Sequence, residues 1–510
     1  MSEIIYNTKK LKEGIDSVAN AVKITIGPKG KNVIIDRGNL VTNDGGTIAR
    51  AIMFKDRTVN MGASLIKNVI NKTSERAGGG RTASAILVQE LTTRGLTYSE
   101  MGMDMNSIKK GMSQAKDDLI KKIKGLSKKV TSNEEVKQVA TISTESEELG
   151  KVIADTIQKI GKDGIVQIEE GQTFGITTEI TEGLEFDRGY VSPYMVTNPE
   201  RMEAEYKNPP IYITDRKINT YKEIYPLIER LAKQKATSLV IIAEDFSEDT
   251  LRNFILMKLQ GAFNILAIKA PGFGENKKIM LEDMALAVGA EITITDDFKL
   301  GSAEKVISTK DTTTIIKGAG KIKDHILNLH TQRTITEDKA EQDRLDERIA
   351  KLSNSVAVIR VGTASDTTLN YLKQKVEDGV NEAKRAIEDG IVVGGNCVFL
   401  HATKQLKRKV GMDEINLGYN LVLDSVIAPL RQIIINSNGK PDLVIDCISN
   451  SPEGYDARTN EVCDNMYECG IIDAVKVPIT ILENAVDEIS TFLTIGASIN
   501  EDPDEKIQSK

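Results

Sequence analysis

The chain has 510 residues, with 67 Lys and Arg against 74 Asp and Glu and a formal net charge of -7; that is enough for two or three domains and too acidic for the basic face that nucleic acid requires. No apolar run follows Met1-Ser2-Glu3 and nowhere do about 18 apolar residues follow one another, so a membrane partner is excluded and a soluble, cytoplasmic protein is expected. Aromatic residues make up 4% of the chain and Trp is absent, so the cores are predicted to be aliphatic.

A helical pattern runs from about Lys9 to Ile24 and stops at Thr25-Ile-Gly-Pro-Lys-Gly30, a strong breaker. Asn32–Asp36 and Leu40–Thr42 read as two short strands around Arg37-Gly38, closing on Asn43-Asp44-Gly45-Gly46. Helical periodicity then continues to about Lys129, interrupted at Arg76-Ala-Gly-Gly-Gly-Arg-Thr-Ala-Ser84. Met61, Leu65 and Val69 stripe the helix before that turn, and Ile86, Leu87 and Leu91 the helix after it. Consecutive glycines leave N–H groups bare at the start of the second helix, where the free donors and the positive end of the helix dipole point the same way. On the glycines alone, a flexible turn between helices is the simpler reading.

From Glu134 to Ile160 the pattern is helical, and Ile165–Ile168 and Ile176–Ile180 switch to strand-like alternation. Between Leu184 and Val361 strands alternate with helices, with buried-strand runs at Ser238–Ala243, Ile265–Ile268 and Val356–Ile359, which implies a covered sheet. Asp245 and Glu248 have capping-box spacing, and the apolar Leu251, Phe254, Ile255, Leu256, Met257 and Leu259 that follow spread over more than half the helix circumference. Such a helix is either buried on several sides or left partly exposed as an adhesive surface. Thr331–Lys351 is predicted as one charged helix with a thin apolar face at Leu345, Ile349 and Leu352. After Leu369 helices dominate, apart from strand-like Val475-Lys-Val477, and the acidic tail Glu501–Lys510 is predicted to be disordered. The chain thus reads helical, then α/β, then helical, a multidomain α and α/β protein into which the middle segment is inserted.

Cys397, Cys447, Cys463 and Cys469 contain no Cys-x-x-Cys pair and read as scattered thiols. The histidines, His325, His330 and His401, are too dispersed to suggest a metal or a nucleophile–base pair. Gly272-Phe-Gly274 is half a dinucleotide fingerprint, with Lys277 where the third glycine belongs, and reads as a surface turn.

Ten blocks, in order, resemble the group I chaperonins of the GroEL type: Thr25–Asn32, Asn43-Asp-Gly45, Thr141-Ile-Ser143, Phe186–Tyr190, Ile241–Asp245, Lys269–Gly274, Asp311–Ile316, Val376-Glu-Asp378, Gly390–Gly395 and Ala428-Pro-Leu-Arg-Gln432. The resemblance implies the chaperonin fold, with a helical equatorial domain at 1–125 and 390–510, a small intermediate hinge domain at 126–182 and 356–389, and an inserted α/β apical domain at 183–355. It further implies seven-membered rings that enclose non-native polypeptides under a co-chaperonin lid and cycle with ATP, magnesium and potassium.

On the same resemblance, the phosphates would lie against Thr25, Ile26, Gly27 and Pro28 and against Gly45, Gly79, Gly80, Arg81, Thr82 and Ala83, with the sugar near Gly395 and the base near Asp456, Ala457 and Asp473. Asp44 and Asp378 match the carboxylates that orient the attacking water. Taken alone, Asp378 is a solvated acid pointing away from the Val376, Val380, Ala383 and Ile387 stripe, and Asp44 is a turn former. The chain departs from the family at Gly79, where the magnesium-holding aspartate belongs, at Arg81, where a threonine does, and at Asn43, Asp456 and Arg458. Hydrolysis is therefore expected to be weak or lost, with Arg81 either pairing with Asp44 or Asp378 in place of the metal or contacting phosphate directly. Tyr190, Tyr194, Met195, Tyr225, Ile228, Leu251, Ile255 and Leu256 match client-binding positions, all kept apolar. Arg431 matches the arginine of a ring-to-ring ion pair, while Lys440 holds the place of its acid, so a single ring is expected.

Overall fold

The computed structural model describes residues 3–5, 8–36, 40–161, 164–171, 175–199, 201–272, 274–292, 299–336, 338–352, 355–363, 366–448 and 451–500. They form two compact units, one of residues 1–162, 170–176 and 361–510, the other of residues 163–169 and 177–360. The second unit holds the expected apical span; the first takes in both expected equatorial spans and most of the intermediate ones.

Helices build the first unit, and side chains set where they begin. Asp56 accepts from the N–H groups of Thr58 and Val59 to cap Arg57–Ala77, and Ser132 with Glu135 forms a capping box on Asn133–Thr144. Their apolar faces meet in one core around Ile15, Ile66, Leu87, Leu91, Ile108, Met112 and Phe399, all fully buried and mostly aliphatic, as the composition predicts. Glu3–Ile5 pairs antiparallel with Ser498–Asn500, so the two ends of the chain belong to one body. The predicted hairpin is present as Val33–Ile35 against Leu40–Thr42, with Arg37-Gly38 outside the described residues. The tail Glu501–Lys510 also lies outside them.

Two expectations are corrected in this unit. Val475-Lys-Val477 is not a strand: Ile472–Ala474 is the strand, paired with Ile391–Val393, and Lys476–Phe492 is a helix. Val477, Ile479, Ile481 and Leu482 are all buried in it, and a helix covered on several sides imitates strand alternation over its first turn. The cysteines are not all free thiols either. Cys463, at the end of a short hairpin with Gly454–Asp456, forms a disulfide with Cys469, leaving Cys397 buried and Cys447 exposed.

The second unit is a nine-stranded mixed sheet with helices packed on it. Asn264–Lys269, Ser238–Ala243 and Pro210–Ile213 run parallel, and Gly301–Ser308, Thr313–Gly318 and Gly175–Phe186 continue the sheet antiparallel. The parallel strands read as continuous apolar runs because helices cover them; Leu239, Val240, Ile241 and Ile242 are all interior. Thr331–Lys351 is two helices rather than one, Ile322–Ile335 and Lys339–Leu352. Thr336 ends the first, and its carbonyl accepts from the Gln342 amide.

Candidate functional site

Each of the phosphate, sugar, base and water-orienting positions expected from sequence lines one cleft of about 790 Å³ in the first unit. Thr25 ends the first helix by donating to the Val22 carbonyl, and Asn436 donates to the carbonyls of Lys23 and Ile26, which fixes the Thr25–Pro28 loop at the cleft wall. Gly80 takes φ 81°, the left-handed region that suits glycine, and precedes helix Arg81–Glu100 without a side-chain cap, which leaves the first-turn N–H groups to a ligand. Asp44 is the N-cap of helix Gly45–Ala51, accepting from Thr47 N–H at 2.5 Å. Arg458 folds back onto Asp456, and Asn43 donates to Glu145, whose other oxygen meets Lys375 at 2.8 Å.

Arg81 lies between the two candidate catalytic acids. Its Nη1 is 3.2 Å from Asp44 Oδ1 and 2.5 Å from Asp378 Oδ2, and its Nη2 donates to Asp378 Oδ1 at 2.9 Å. Burial works against the charge on Arg81, but the two carboxylates outweigh it and raise its hold on the proton. Burial likewise opposes ionisation of Asp44, and Arg81 together with Thr47 brings that carboxyl below its ordinary range. For Asp378 burial prevails over Arg81, and the like charge of Asp44 helps to push it up. Asp378 is thus no solvated acid; its side chain is 14% exposed and tied to Arg81.

Two further acids close the floor. Glu382 is one helical turn beyond Asp378 on helix Asp366–Asp389 and is buried among Asp473, Asp378, Ser143 and Arg81; desolvation and the neighbouring acids drive its carboxyl well above the ordinary value. The signal for it in the sequence was its i+4 spacing from Asp378, which puts both on one face. Burial pushes Asp473 up to about 7, against the opposing pull of the Gly395 and Asn396 N–H groups. The folded chain therefore holds this proton more tightly than the unfolded chain, so stability from Asp473 is full below about pH 4 and is lost as pH rises through that higher value. Asp473→Asn is expected to flatten the fall in melting temperature between about pH 5 and about pH 8; equal slopes in variant and wild type would refute it.

The second unit carries a separate apolar surface. Helix Glu248–Leu259 is capped by Ser247, which accepts from Thr250 N–H, rather than by Asp245, which lies in a short strand and meets Lys269 at 2.7 Å. Phe254 is interior, packed edge-on against Phe246 and Tyr221, while Leu251 and Ile255 are half-buried. Leu256 and Leu259 are 45% and 69% exposed, and Tyr194 and Tyr225 are 67% and 50% exposed. Tyr190, Met195 and Ile228 are interior: Tyr190 bridges to Ile268, and Ile228 lies on the core face of helix Tyr225–Lys233. Leu259, outside the expected set, is the more exposed apolar residue of its helix.

Among the described residues, no three His, Cys, Asp or Glu side chains are placed to hold a metal ion between them, and no helix is long and apolar enough to cross a membrane. The profile of the TCP-1/cpn60 chaperonin family matches residues 18–503. Among solved structures the chain is similar to the chaperonin gp146 from the bacteriophage EL 2 (Pseudomonas aeruginosa) in presence of ATP-BeFx. Crystal form II gives a TM-score of 0.68 at 19% identity, covering 98% of this chain and 99% of that one. Crystal form I gives 0.63 at 20% identity with the same coverage. At this identity the likeness shows the fold.

Proposed function

Because the chain belongs to the TCP-1/cpn60 chaperonin family, we propose that it is a ring chaperonin whose cleft binds ATP but hydrolyses it little, and whose clients are held by the exposed apolar surface of the second unit. The family makes it a protein-folding chaperone, and chaperonins in general act on polypeptides as rings. The observation that carries the finer reading is the Arg81 clamp, which engages oxygens of both acids that would orient water. Phosphates would meet the Gly79–Ala83 turn and the Thr25–Pro28 loop, with Arg81 beside them as a fixed positive charge. Magnesium, when bound, supplies charge across the phosphates.

Non-directional apolar contact suits clients of no fixed sequence, and Tyr194, Tyr225, Leu251, Ile255, Leu256 and Leu259 offer it. A co-chaperonin lid would compete for the same surface. Residues 126–182 and 356–389 are read as the hinge domain. A single ring of seven is the assembly we favour, since Arg431 pairs with Asp442 of its own chain at 2.7 Å and Lys440 stands where the opposing acid is expected.

The test is suppression of aggregation of a denatured protein, with and without ATP, by preparations sized by native mass spectrometry. Suppression that does not depend on ATP, from a heptamer, is expected. Absence of suppression would overturn the client reading, and strict dependence on ATP hydrolysis would overturn the turnover reading.

A further inference from the structure

Gly79 and Glu382 occupy one volume between them. A Cβ built on Gly79 would land on the Glu382 Oε1 atom, with the Glu382 Cδ 2.7 Å away. The Glu382 carboxyl thus fills the space directly against the residue-79 backbone, reached from helix Asp366–Asp389 instead of from the turn. Glu382 is 7% exposed and lines the cleft with Ser143, Gly79, Gly80 and Asp378. Burying a carboxyl beside Asp378 and Asp473 costs stability, and Arg81 is the cation among its neighbours. Arg81 directs its hydrogen bonds to Asp44 and Asp378. The donor set fits a hard divalent ion that takes one or two carboxylate oxygens and completes its shell with phosphates and water.

We propose that Glu382 is the metal-side acid of this cleft: the carboxylate that residue 79 lacks is supplied from residue 382, so magnesium entering with ATP is held there while Arg81 keeps Asp44 and Asp378. The proposal rests on the reading of the cleft as an ATP site. It explains why position 79 carries no side chain: an aspartate there collides with Glu382, and the acid can come from one place or the other.

Calorimetric titration of ATP into the full-length protein, over a magnesium series with EDTA as zero, tests it. The proteins are wild type, Glu382→Gln, Gly79→Asp, and the exchange pair Gly79→Asp with Glu382→Ala. Magnesium is expected to tighten ATP binding to wild type by about tenfold or more. Glu382→Gln, of the same shape, should bind ATP equally with and without magnesium; the exchange pair should regain the magnesium gain, and Gly79→Asp alone should fall below the pair. Melting curves identify any variant that fails to fold, and the isosteric Gln variant decides the matter if the others do. A full magnesium gain in Glu382→Gln, or wild type indifferent to magnesium, overturns the proposal while leaving the ATP site in place. No ATP binding by wild type under either condition overturns both.

Discussion

Replacing Arg81 with methionine is expected to lower the stability of the first unit by about 3 to 5 kcal/mol near neutral pH. Methionine fills similar space but removes the cation, leaving Asp44 and Asp378, with side chains 10% and 14% exposed, facing each other across a desolvated gap. Only the penalty of an unpaired buried charge is of that size; a surface ion pair would be worth about 1 kcal/mol at most. The loss should shrink as pH falls. Asp378 already binds its proton more readily than an ordinary carboxyl, and without Arg81 that tendency grows, so the folded variant takes up protons and regains stability in acid. Arg81→Lys, which keeps the charge but loses the two-pronged geometry, should fall between the two. Denaturant midpoints at two pH values measure this, and an Arg81→Met variant as stable as wild type would show that the clamp contributes nothing.

The second large effect is on clients. Leu256→Ser combined with Leu259→Ser is expected to weaken capture of a denatured protein by roughly a hundredfold, from about 1.5 kcal/mol of lost apolar burial at each position. Both side chains already meet solvent in the free chain, so the melting temperature should hold. Phe254→Ala is the contrasting case: its ring is interior and packed edge-on against Phe246, so truncation should destabilise the second unit instead. Undiminished capture by the double serine variant would move the client surface elsewhere.

The glycine turn and the Thr25–Pro28 breaker are legible because backbone chemistry dictates them, and the apolar strands because their side-chain pattern does. The clamp was visible as a pair of alternatives, since a buried arginine must find acids. The i+4 spacing places Glu382 on the face of Asp378, but only the fold brings it against Gly79. The disulfide was missed because Cys463 and Cys469 are joined by the path of a loop and not by a short motif. The burial of Tyr190, Met195 and Ile228 is not legible in the sequence, because an apolar side chain looks the same there whether it faces a client or a core. The break at Thr336 was hidden because the charged residues around it favour helix on both sides.

In this cleft Arg81 holds both Asp44 and Asp378, the acids proposed to orient water. Phosphate release from ATP by the assembled wild-type protein, with saturating ATP and magnesium, tests it most directly, alongside Asp378→Asn. Wild type is expected to be no faster than Asp378→Asn, both near the rate without protein. Brisk release by wild type that Asp378→Asn abolishes would contradict it, because Arg81 would then have to leave Asp378 for the phosphates whenever ATP binds.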